Sequence, residues 1–136
     1  MRIAFYAPLK SPAHGTPSGD RRIAGLLMDA LARAGHSVEL ASSFRSYDPA
    51  GDGPRQIALR DDGIALGRRL AAQWRDGAAE ARPELWFTYH LYYKAPDWLG
   101  PEASAPARRR TRACRRGASS PRPRSRERTD RGRASG

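Results

Sequence analysis

Hydrophobic residues recur along the first hundred positions in two rhythms, short unbroken runs and spacings of three and four, and their alternation predicts an α/β protein. Ile3, Ala4, Phe5, Tyr6 and Ala7 form an apolar run ending at Pro8, the pattern of a parallel strand covered on both faces. From Asp20 onward, Ile23, Leu26, Leu27, Ala30, Leu31 and Ala34 place one apolar stripe on a helix, with Asp20 as its cap. Gly35 closes it, because a residue without Cβ accepts the left-handed conformation past a helix end. Val38 and Leu40 begin a second strand, which makes residues 2–41 one strand–helix–strand unit. After a Ser-, Asp-, Gly- and Pro-rich loop over 42–54, a second helix is expected from Arg55 to Asp76. Leu59, Leu66, Leu70 and Trp74 lie near one of its faces, with Ile57, Ile64 and Ala71 beside them and Trp74 in the core. Gly63 and Gly67 each cost this helix about 1 kcal/mol relative to Ala, so packing must hold it. Leu85–Tyr89 is a third strand of strong β formers, and Asp97 is placed to cap a helix from Trp98.

Two successive right-handed crossovers between neighbouring strands give the order 3-2-1 in a partial Rossmann-like parallel sheet. That order leaves residues 2–8 as an exposed edge and predicts self-association through them.

Composition changes the picture only after Pro101. The formal charge of +11 is concentrated there: residues 101–136 hold twelve arginines against Glu102, Glu127 and Asp130, whereas residues 1–100 are nearly balanced. Those 36 residues contain no Ile, Leu, Val, Met, Phe, Tyr or Trp. A segment of that kind cannot bury enough apolar surface to offset its ordering entropy, so 1–101 reads as the half-domain and 102–136 as a disordered basic tail. One function for such a tail is nonspecific nucleic-acid binding through neutralised phosphates. The other reading concerns the gene. The chain has no Asn and only Lys10 and Lys94 as lysines, which points to GC-rich coding, and a shifted frame in such DNA yields Arg, Ala, Gly, Pro and Ser. A frameshifted or truncated product is the expectation. Cys114, the single cysteine, excludes an intramolecular disulfide and a cysteine-based metal cluster, and no metal site is expected. No apolar run reaches the ~20 residues of a membrane span, which favours a cytoplasmic protein, with peripheral attachment at the inner face of the membrane compatible.

Candidate chemistry sits in two loops. Leu9–Gly19 follows the first strand and carries Pro12, Gly15, Pro17 and Gly19, so its backbone can turn sharply and approach a ligand where α/β sheets bind them. Arg21 and Arg22 stand in the first helical turn, where positive charge opposes the macrodipole; they are either solvated arginines or an anion contact. The loop lacks G-x-G-x-x-G, and no acid ends the second strand, which disfavours a nicotinamide or flavin dehydrogenase. The second loop holds His90, Tyr92 and Lys94. Tyrosine faces stack on sugars and bases, a lysine meets phosphate, and an imidazole can accept a hydroxyl proton, although a lone histidine at a strand end also serves simply as a backbone hydrogen-bonding group.

The segments FYAPLKSP, PSGDRRIAGLLMDALARAGHSVELAS and LWFTYHLYYKAPDWLGP together resemble the N-terminal Rossmann-like half of a GT-B glycosyltransferase of the retaining, glycogen-synthase-like type, over residues 1–101. The resemblance implies transfer of a glycosyl unit from a nucleotide sugar, held by a C-terminal half, to a sugar-type acceptor held largely by the N-terminal half. It implies no other cofactor. By position, Gly19 would face the donor phosphates, while His90 and Tyr92 would lie toward the acceptor cleft. The histidine more often implicated in that family's catalysis follows a further strand that this sequence lacks. The resemblance therefore assigns no catalytic residue, and it implies that the chain alone is inactive.

Overall fold

The computed structural model describes residues 1–105, and the Arg-rich run with Cys114 lies outside them. In chain order the elements are β1 (Arg2–Tyr6), α1 (Gly19–Arg33), β2 (Ser37–Ser42), α2 (Gly53–Asp76), a 3₁₀ turn at Ala79–Ala81, β3 (Leu85–Thr88) and α3 (Gly100–Ala103). All three strands are parallel, and their order is β2-β1-β3.

That order corrects the expected 3-2-1. β1 is the middle strand, so residues 2–8 present no edge, and self-association through them loses its basis. The physical reason lies in side-chain character. Ile3, Ala4, Phe5, Tyr6 and Ala7 are each at most 3% exposed, as suits a strand with neighbours on both sides and helices on both faces. β2, by contrast, carries the exposed Ser37 and Glu39, which an edge tolerates. The 24-residue α2 spans about 36 Å, long enough to return the chain across β1 to its far side.

One face of the sheet packs on α1. Phe5, Ala7 and Ala24 form the buried centre, with Leu27, Met28, Leu31, Val38, Leu40, Phe87 and Tyr89 against it. The core face of α1 is thus Ala24, Leu27, Met28 and Leu31, a rotation from the expected stripe that leaves Ile23 and Leu26 about half exposed. Gly35 does end the helix as expected, at φ 90°, with Gly35 N–H donating to Ala32 O and His36 N–H to Leu31 O, the paired bonds of a Schellman motif. On the other face Tyr6 packs on Trp86, and Trp86 on the half-buried Trp74 of α2.

The glycines of α2 have a packing reason. A Cβ on Gly63 would come within 2.6 Å of Trp98 Cβ, and one on Gly67 within 2.6 Å of the Leu99 carbonyl oxygen. Four residues apart, they clear one stripe on which the segment from Trp98 to Glu102 lies. The ordered chain therefore continues past Pro101. Ala103 is 7% exposed, and Arg68 Nε donates to Glu102 Oε2 at 2.9 Å, so the boundary expected at 101/102 runs through the middle of α3. Among the described residues no helix is long and apolar enough to cross a membrane.

Candidate functional site

With β1 in the middle, the chain leaves it toward β2 on one side and reaches β3 on the other. The carboxyl end of β1 is then the point where strand order reverses, and in open α/β sheets the crevice at that point takes the ligand. Three loops meet there, those following β1, β2 and β3. They are tied to one another by backbone and side-chain hydrogen bonds: Ser46 N–H to Pro8 O at 3.2 Å, Asp48 N–H to Lys94 O at 2.9 Å, and Ser46 Oγ–H to Pro96 O at 2.6 Å.

The cleft between these loops, about 330 Å³, is lined by Leu9, Lys10, Asp20, Arg45, Tyr47, His90 and Tyr92. At its centre His90 Nδ1 lies 2.9 Å from Asp20 Oδ1. An ionised carboxylate only accepts, so the bond places a proton on Nδ1 and leaves Nε2 of a neutral ring as an acceptor. Asp20 is therefore not the cap of α1. Ser18 is, its Oγ accepting Arg21 N–H at 3.2 Å, and Asp20 in the first turn is free to hold the histidine across the cleft. His90 has φ 59°, a left-handed conformation sparsely populated by side-chain-bearing residues and, at a strand end beside a cleft, a feature of functional sites.

Aromatic rings continue from the histidine. Tyr89 meets its edge with centroids 5.6 Å apart, Tyr92 lies 6.3 Å away, and Tyr93 packs on Tyr92 at 4.4 Å. Hydrogen bonding to Tyr93, then burial, then the neighbouring Tyr93 and Tyr47 hold the Tyr92 phenol above the ordinary tyrosine range. Burial and then the charge of Asp20 do the same for Tyr89. Both therefore remain neutral phenols around neutral pH, able to donate a hydrogen bond. Arg45 Nε donates to Leu9 O at 2.8 Å while its guanidinium lies 4.7 Å over the Tyr47 ring, which fixes a cation and an aromatic face together on one wall.

Of the residues singled out in the sequence, His90 and Tyr92 come together in this cleft. Lys94 does not line it; its Nζ donates to Pro49 O at 3.0 Å and sits over Tyr93, holding the β2 and β3 loops together. Gly19, Arg21 and Arg22 line a separate, more open groove of about 730 Å³ with Pro12, Pro17 and Leu26. Within it Arg21 braces the β1 loop, donating from Nε to Pro12 O at 3.1 Å, and Arg22 is exposed. Asp97 does not cap a helix from Trp98, since α3 starts only at Gly100 with Leu99 as its N-cap; its Oδ1 instead holds the bend that leads into α3, accepting the Leu99 and Gly100 N–H groups at 3.0 and 2.8 Å. It does more besides, since its Oδ2 accepts from Trp86 Nε1 and Thr88 Oγ1.

Sequence reasoning missed Arg45 and Tyr47, because the 42–54 loop offered only turn formers as a pattern. The signal available was the alternation Phe44-Arg45-Ser46-Tyr47 directly after a strand, where α/β loops carry ligand contacts. Lys10, within the loop that was singled out, was also passed over. Among the described residues no three His, Cys, Asp or Glu side chains gather as a metal-binding set. Comparison with protein-family models, with curated proteins and with solved structures gives no match.

Proposed function

We propose that residues 1–105 are the acceptor-side half of a glycosyltransferase-type protein, and that the cleft at the end of β1 binds a sugar-type acceptor. The observation that carries this reading is the convergence of Lys10, Arg45, Tyr47, Asp20, His90 and Tyr92 at the point where strand order reverses. Tyrosine faces offer a sugar ring its apolar side, phenol hydroxyls and the free imidazole nitrogen match its hydroxyls, and the two cations suit an acceptor that carries a phosphate. The resemblance noted in the sequence adds a nucleotide sugar as donor, bound by a second domain. The reading is therefore one of acceptor binding, with transfer requiring that domain.

Isothermal titration of the full chain with a panel of mono- and disaccharides, each with and without a phosphate, tests this. Saturable binding by at least one sugar, weakened by Tyr92→Ala and by Arg45→Ala, is expected. Absence of binding across the panel at millimolar concentration, or binding indifferent to both substitutions, refutes it.

The twelve arginines of residues 101–136 favour a second reading, a nucleic-acid-binding protein that acts through this basic arm. Binding to DNA or RNA that falls steeply with salt and disappears when residues 106–136 are removed, with no response to sugars, would replace the first reading with this one.

A further inference from the structure

Two strand edges remain open among the described residues, and they differ. β2 carries Glu39 in mid-strand, and its register against β1 slips between Phe5–Leu40 and Tyr6–Ser42, so that Ala41 bulges. A charge and a bulge are two devices by which edges avoid pairing with other chains. β3, Leu85-Trp86-Phe87-Thr88, has neither: it is uncharged, free of proline and glycine, built from strong β formers, and pairs regularly with β1 alone. Beside it runs a groove of about 260 Å³ lined by Leu85, Trp86, Trp74, Arg82, Ala103 and Ala105.

The described chain ends at this groove, with Ala105 in its wall. Residues 106–136 contain no Ile, Leu, Val, Met, Phe, Tyr or Trp, whereas β3 is itself a run of strong strand formers. We infer that the free edge of β3 pairs with β3 of a second copy, antiparallel about a twofold axis between Trp86 and Phe87. That register sets Leu85 against the partner subunit's Thr88 and Glu84 against the partner subunit's Tyr89, so that no like charges face one another along the pairing. Because the contact is isologous, each chain supplies the same surface. The pairing does not depend on what the cleft at the end of β1 binds.

Sedimentation velocity of the full chain, nuclease-treated, with reductant and at high salt, tests the pairing; these conditions remove bridging by nucleic acid and by Cys114. A dimer is expected at tens of micromolar. Leu85 is 43% exposed, so Leu85→Lys leaves the fold intact while introducing a charge into the edge at both ends of the twofold. It should weaken the dimer roughly ten-fold or more, with an unchanged circular dichroism spectrum. Glu39→Lys, on the other edge, should leave the dimer as it is. A wild-type monomer under these conditions, or a dimer that Leu85→Lys does not weaken, overturns the inference. Dissociation by Glu39→Lys instead would place the contact on β2 and also overturns it.

Discussion

Replacing Gly67 by alanine tests whether the segment from Trp98 to Glu102 is truly locked onto α2. On propensity alone the change should stabilise a 24-residue helix by about 1 kcal/mol. The structure sets a larger effect against this. The new methyl would lie 2.6 Å from the Leu99 carbonyl oxygen, 3.2 Å from Leu99 Cα and 3.0 Å from Glu102 Cβ, and two of these three atoms belong to backbone that no rotamer change can move. Overpacking a well-filled contact costs ~1–3 kcal/mol and more where backbone must shift, so a net loss of roughly 1–3 kcal/mol is expected, with α3 displaced from α2. Gly25→Ala is the matched control. It lies in α1 with nothing within 4 Å of the added methyl, and should stabilise by ~0.5–1 kcal/mol. Urea unfolding followed by circular dichroism measures both. A Gly67→Ala protein as stable as the parent, or a Gly25→Ala protein that loses stability, would show that close approach is not what those glycines are for.

Other outcomes follow from single side chains. Burial, and then the negative charge of Asp97, hold the Tyr6 phenol well above its ordinary range. A raised folded-state value means that the stability it confers is complete below the unfolded value of about 10 and is lost as pH climbs above it, so Tyr6→Phe should flatten the fall in stability above pH ~10. Near pH 7 the same change should be neutral or stabilising by up to ~1 kcal/mol, because the hydroxyl is buried without a hydrogen-bond partner. Asp97→Ala strips the acceptor from Trp86, Thr88, Leu99 and Gly100 together and should cost ~3 kcal/mol or more in the same urea experiment. His90→Gly should leave stability within about 1 kcal/mol of the parent, since relief of the left-handed backbone offsets the half-exposed bond to Asp20, while sugar binding falls.

Much of the architecture was legible because each element carried its own local signal. The unbroken run at Ile3–Ala7 announced a strand covered on both faces, and Gly35 announced a helix end. Strand order was not legible from nearest-neighbour crossovers, and the same apolar run that marks β1 as central is what places it between β2 and β3. Helix faces were legible only to within a rotation. Ile23 and Ala24 are adjacent, both fit an apolar spacing, and only packing against Phe5 selects the smaller residue for the interior. In the site, His90 and Tyr92 stood out as unusual chemistry after a strand, whereas the partner that orients His90, Asp20, is 70 positions away and matched a capping pattern that Ser18 fills instead. Pairings at that separation leave no trace in local composition.

The imidazole resonances of the three histidines, followed by NMR while the full chain is titrated with the tightest-binding sugar of the panel, address the central claim most directly. His90 lines the cleft and His14 and His36 do not, so the account predicts a saturable shift of the His90 ring alone, abolished by Tyr92→Ala. A His90 resonance that stays still while sugar binds elsewhere, or equal movement of all three, would contradict it.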